Sequence, residues 1–176
     1  MRNSKKIVIT GGPGSGKSSL IDELENKKFN CEKEIVRSLT LEGKKDGNDQ
    51  LFLKEPLNFS KTLLDLRISQ FNKKQVASIT FFDRGVQDTL AYLNFIKTKY
   101  DSDLLKKCEK VKYQMVFILP PWKEIYEQDK CRYETFEESI KIYEEIIKIY
   151  HFFKMKTIIL EKDSVNNRIK KILSYL

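Results

Sequence analysis

Cysteine, histidine, tryptophan and proline are all scarce in this chain of 176 residues, at three, one, one and four copies. Cys31, Cys108 and Cys131 are far apart and odd in number, so they form neither a metal box nor a disulfide framework and are expected as reduced thiols. The single His151 stands in no local pattern that would pair it with a catalytic cysteine. Long apolar runs are missing too. None approaches the roughly 18 residues of a membrane helix, and the opening "MRNSKKIVIT" is too short for a secretory signal. The expected location is therefore the cytoplasm, and the expected organisation one domain over 1–176.

Charge is plentiful, with a formal net charge of +8. Its lysines are spread singly or in pairs among Asp and Glu along helical stretches, with no block of five like charges and no aromatic–basic interleaving. That distribution argues against a nucleic-acid track and for a solvated surface with a general preference for anionic ligands.

Glycine is sparse but concentrated: of seven, four fall between Gly11 and Gly16. They sit between an apolar run, "KIVIT" at 6–10, and a helix-forming run with Leu20, Ile21 and Leu24 as its stripe. Gly11-x-x-x-x-Gly16-Lys17-Ser18 is a phosphate-loop pattern in the strand–turn–helix setting the pattern requires. Backbone N–H groups, a helix N-terminus, the Lys17 ammonium and the Ser18 hydroxyl together suit the phosphates and Mg²⁺ of a nucleoside triphosphate.

Further runs at 29–35, 78–83, 114–119 and 156–161 read as strands. Most are continuously hydrophobic, as in parallel strands buried on both faces. Helix-period segments separate them: 58–75 after the Pro56 break, the series Val86, Leu90, Leu93, Ile96, a long one from Phe136 behind a Thr135-x-x-Glu138 capping box, and a final one from Val165. The expected fold is α/β, a three-layer phosphate-loop NTPase with an open, mostly parallel five-stranded sheet and helices on both faces. The polar segment 42–50 reads as a mobile loop.

Four residues outside the loop are candidates for chemistry. Asp83 ends an apolar strand, where phosphate-loop proteins keep the acid of the Mg²⁺ shell; a helix N-cap is the alternative. Glu34 and Arg37 lie one helical turn apart, suited to a base and an anion grip on a phosphoryl acceptor, or to a surface ion pair. Arg132 suits a lid arginine, or an ordinary helix-surface charge. Only six arginines occur against 27 lysines, and Arg37, Arg84 and Arg132 fall in these segments, which favours planar phosphate forks. His151, Trp122 and the Phe and Tyr stripes are assigned to packing.

The series "ITGGPGSGKSSL", "EIVRSL", "FFDRGVQDTLAYL", "FILPPWKEIYEQDKCRYETFEES" and "TIILEK" resembles the compact ATP-binding domains grouped with the AAA-type ATPases. It is similar to the nicotinamide-riboside-kinase-like branch of the phosphate-loop kinases. The resemblance implies a sheet of nucleoside-kinase type, Mg²⁺ with ATP (or GTP), and a lid segment near 122–138. It assigns phosphate binding to Gly11, Gly12, Pro13, Gly14, Ser15, Gly16, Lys17, Ser18 and Ser19, and metal binding to Ser18 and Asp83. Glu34, Arg37, Arg84 and Asp88 fall on the acceptor side, with Lys17, Glu34, Asp83 and Arg132 as the catalytic set. No second acid follows Asp83, unlike hydrolytic AAA machines, and one lid arginine stands where many small kinases have two. The expected activity is γ-phosphoryl transfer to a small acceptor such as a nucleoside or riboside. The alternative is a slowly hydrolysing nucleotide-binding regulator with a protein partner.

Overall fold

The computed structural model of the protein describes residues 4–36, 39, 54–74, 77–126 and 134–176. Five strands, β1 (Lys5–Gly11), β2 (Asn30–Glu32), β3 (Ile79–Asp83), β4 (Met115–Leu119) and β5 (Thr157–Ile159), form one sheet in the order β2-β3-β1-β4-β5. Every pairing is parallel, with Ile9 opposite Asp83 on one side and Phe117 on the other.

Alternation within the apolar runs divides the core in two. Ile7, Ile9, Phe81 and Phe117 face α1 (Lys17–Asn26) and the last helix, where they meet Leu20, Leu24, Ile169 and Ile172. Val8, Phe82, Val116 and Ile118 face the opposite layer. That layer holds α2 (Pro56–Asn72), α3 (Asp88–Phe95), α4 (Ser102–Glu109) and α5 (Phe136–Phe152); the last helix, α6, is Val165–Leu173. With both faces covered, a strand needs no polar side, which is why the central runs carry almost none.

Helix boundaries follow local chemistry. Pro56 opens α2, where its missing N–H costs nothing. At α5 the capping box forms: Thr135 Oγ1 accepts from the Glu138 amide at 3.2 Å, and Glu138 returns the bond to the Thr135 amide at 2.7 Å.

Two edge strands are shorter than expected. The run 29–35 contributes only Asn30–Glu32 and 156–161 only Thr157–Ile159, because each pairs on one side alone. The early end of β2 releases Glu34 from the sheet. Helix α4 was not expected; its lysine-rich eight residues bury only Leu104 and Cys108. Its signal is Asp101, whose carboxylate accepts from the Asp103 and Leu104 amides, both at 3.1 Å. No described helix is long and apolar enough to cross a membrane.

Candidate functional site

β1 runs directly into the glycine loop, and α1 starts at Lys17 behind Gly16 as N-cap. Gly16 has φ +86°, left-handed backbone that suits a residue without Cβ. α1 begins with neither a capping side chain nor an acid in its first turn, so its N-terminal amides and positive dipole end are available to an anion. Lys17 Nζ donates to the carbonyls of Gly11 and Gly12, each at 2.9 Å. Burial, with repulsion from Arg84, pushes the Lys17 ammonium down to about 7 against the pull of Asp83, Glu34 and Asp88. From α6, Arg168 Nη1 donates to the Ser15 carbonyl at 3.1 Å and braces the loop from outside.

Across the sheet, β3 ends on Asp83. Its Oδ1 is buried with no hydrogen-bond partner among the described residues. Burial, then repulsion from Glu34, raises the Asp83 carboxyl to about 6. Glu34, just past β2, receives two guanidinium groups: Arg67 of α2 reaches Oε1 at 3.1 Å and Arg84 Nε bonds Oε2. Burial alone would raise the Glu34 carboxyl, but Arg84 and Arg67, with Lys17, hold it below its ordinary value, so it stays ionised. Arg84 also donates to the Gly11 carbonyl at 3.2 Å.

These groups open onto one cavity of about 870 Å³. Its lining includes the loop from Pro13 to Ser19, with Ile125 and Arg168 against Gly16 and Trp122 under Arg168. It also includes an apolar and aromatic group: Phe59, Leu63 and Tyr92, with Ile142 and Ile146 of α5. Glu34, Asp83, Arg84 and Asp88 line the cavity with both groups. Asp88 spends its oxygens on protein donors, namely Thr10, Gly85 and Tyr150.

Arg37 and Arg132, the segment 42–50 and 127–133 of the expected lid lie outside the described residues. Among the described residues, no cluster of three or more His, Cys, Asp and Glu side chains is placed to hold a metal. The donor set that is present, the orphaned Asp83 oxygen with the Ser18 hydroxyl on the cavity wall, fits Mg²⁺, which takes one or two protein ligands and fills its octahedron with phosphate and water.

Sequence reasoning missed Arg67, Arg168 and Tyr92, and took Trp122 for packing alone. Trp122 lines the cavity, and the Arg168 guanidinium lies over its ring at 4.9 Å. A signal for the two arginines was present. Arg67 continues the spacing of Leu63 and Leu64, and Arg168 that of Val165, Ile169 and Ile172; each is buried on an apolar stripe. A guanidinium there is unaffordable unless it has partners, so it marks a buried carboxylate or carbonyl cluster.

A family model described as "AAA domain" matches residues 6–168. No curated protein matches the chain. Among solved structures it is similar to a deoxyadenosine kinase from M. mycoides with bound dATP, at a TM-score of 0.70 and 15% identity, covering 97% of this chain and 98% of that one. It is similar to a NadR protein in complex with NR, at a TM-score of 0.76 and 16% identity, over 98% of this chain and 51% of that one. A thymidylate kinase from Ehrlichia chaffeensis gives 0.62 and 16%, over 98% of both chains. At such identities the likeness establishes the shared α/β fold; the chain spans about half of the NadR chain.

Proposed function

The chain belongs to the AAA-domain family of phosphate-loop proteins, and from that premise we propose that it transfers the γ-phosphoryl group of ATP to the hydroxyl of a small acceptor, a nucleoside or riboside. The observation that carries this reading is the continuity of the cavity. Phosphate-loop residues and an apolar, aromatic group line one space, with an ionised carboxylate, Glu34, among them.

In this reading the loop amides from Gly14 to Ser19 and the Lys17 ammonium hold the triphosphate and fix its γ-phosphorus for in-line attack. Ser18 and Asp83 would hold Mg²⁺, whose chemistry is to neutralise charge on the phosphate oxygens. Glu34 accepts a hydrogen bond from the acceptor hydroxyl, orients its oxygen and takes its proton. Two arginine partners make it a weak base, which suits a loose transition state in which the proton leaves late. Arg37 is assigned to an anionic group of the acceptor and Arg132 to charge on the transferring group. The apolar walls at Phe59, Leu63 and Tyr92 suit a flat ring and exclude the water that would otherwise intercept the phosphoryl group. ATP is favoured over GTP, and the cytoplasm is the proposed location. The likeness to a kinase named for deoxyadenosine, and to a protein bound to NR, supports this acceptor class.

The test is a panel of nucleosides, ribosides and simple alcohols incubated with the protein and Mg-ATP, read by mass spectrometry for an added phosphoryl group. Slow turnover alone, acceleration by a nucleoside or riboside, and a phosphorylated product are expected. No product across the panel, together with a protein captured only by the ATP-loaded form, would replace this reading with a regulatory one.

A further inference from the structure

One buried carboxylate takes no part in the proposed chemistry, yet it is surrounded by donors. Asp88 is the first residue of α3 and is 4% exposed. Its Oδ2 accepts from the Gly85 amide at 2.8 Å and from the Tyr150 hydroxyl at 2.6 Å. Its Oδ1 accepts from the Thr10 hydroxyl and lies 3.7 Å from Arg84 Nη1. The donors come from three elements: Thr10 lies near the end of β1, Gly85 in the turn after β3, and Tyr150 in the last turns of α5.

A helix-capping role would need only the nearby amide; it explains neither Tyr150 nor Thr10. The neighbouring turn does explain them. Arg84 has φ +72°, a left-handed conformation that side-chain-bearing residues adopt at a cost unless the surroundings enforce it. Its amide is pinned to the Ile9 carbonyl at 3.0 Å, while its side chain turns back to the Gly11 carbonyl and to Glu34. The next residue is Gly85, where an added Cβ would fall inside van der Waals contact of the Tyr150 hydroxyl. The turn is therefore packed directly against the network.

We propose that Asp88, held by Tyr150 and Thr10, is a positioning residue. It fixes Arg84 in its left-handed conformation, so that one guanidinium links the entry of the phosphate loop at Gly11 to the acceptor-side carboxylate of Glu34. Only the kinetic consequence rests on the phosphoryl-transfer reading.

The experiment follows the Arg84 side-chain Nε–H signal by NMR on the full chain, assigned by its loss in Arg84→Lys. Exchange of this proton with solvent should quicken by about tenfold in Tyr150→Phe and in Asp88→Asn, because the guanidinium is released from its fixed pose. Leu24→Ala, which opens the core on the opposite face of the sheet, should lower the melting temperature and leave the signal in place. An unchanged signal in both network variants, or equal acceleration in Leu24→Ala, would overturn the proposal. Gly85→Ala tests the same contact from the other side. The double variant Gly85→Ala/Tyr150→Phe removes the clashing hydroxyl and should recover part of the stability that Gly85→Ala loses; strictly additive losses would count against the network. With an identified acceptor, Tyr150→Phe should lower kcat about tenfold and keep the Mg-ATP Kd within about twofold, a split that a general packing defect does not produce. Should no acceptor exist, the transfer reading fails and the Arg84 signal still decides the positioning claim.

Discussion

The phosphate loop and the buried charge cluster are built in opposite ways. The phosphate loop is nearly contiguous: residues 11–19 supply the backbone turn, the helix terminus, the ammonium and the hydroxyl, with Arg168 as the principal brace from elsewhere. The charge cluster beside it is assembled from five places, with Glu34 after β2, Arg67 on α2, Arg84 after β3, Asp88 on α3 and Tyr150 on α5. The first binds with main-chain dipoles, which change little when side chains change. The second depends on buried charges that must all be matched, so the loss of one member strands the others. The contiguous loop therefore tolerates change elsewhere, while the charge cluster depends on each of its members.

Four experiments sharpen that contrast. The largest effect is expected at the contiguous loop. Lys17→Ala removes the one cation of the loop and should lower turnover by about a hundredfold or more, with the fold retained; calorimetry and a turnover assay together decide it. Unchanged binding with unchanged turnover would remove the loop from the site.

Next comes Glu34→Gln. It should lower the transfer rate by about a hundredfold while Mg-ATP affinity changes little, because the role proposed for Glu34 is on the acceptor hydroxyl. It also leaves Arg67 and Arg84 facing a neutral amide, so chemical denaturation should show a loss of about 3 kcal/mol. If stability and rate are both unchanged, the Glu34 cluster is not the charge-matched assembly described above.

Asp83→Asn separates metal from structure. The variant should weaken nucleotide binding in Mg²⁺ more than in EDTA; equal losses would assign Asp83 to the fold. Its pH dependence has a definite sign. The folded carboxyl is raised to about 6 from an ordinary 3.8, so the folded state binds the proton more tightly than the unfolded chain does. Stability therefore falls as pH rises through that window. Removing the charge should make Asp83→Asn at least as stable as the parent at pH 8, with the difference closing towards pH 4.

The smallest effect is a proton count. Lys17 is depressed to about 7 and is mostly neutral at pH 8. Phosphates drawn against it restore its charge, so nucleotide binding at pH 8 should take up about one proton. Near pH 6, Lys17 is already charged and Asp83 is partly protonated, so the sign should reverse on binding Mg-ATP. Titrations in buffers of different ionisation enthalpy read both, and a proton count independent of pH would contradict the burial of Lys17.

Legibility in the sequence followed the same division. The loop, the parallel sheet and the principal helices could be read because each rests on neighbours in the chain: glycine spacing, uninterrupted apolar runs, a capping box. The short helix α4 escaped because it has barely two turns and little apolar stripe, and the edge strands were overextended because one-sided pairing leaves no trace in composition. Asp83 and Glu34 were picked out individually by their positions after strands. Their partners were not, since nothing near residue 34 in the chain points to residue 67.

By itself, then, the sequence determined a phosphate-binding turn between β1 and α1 and a sheet buried on both faces, because main-chain geometry and hydrophobic periodicity are local properties. Only the tertiary structure decided that Arg67 and Arg84 would converge on Glu34, that Asp88 would take its donors from Thr10, Gly85 and Tyr150, and that Trp122 and Arg168 would wall the cavity. The physical reason is that buried charge is tolerated only where partners from distant segments meet it, and which segments meet is set by the packing of helices on the sheet.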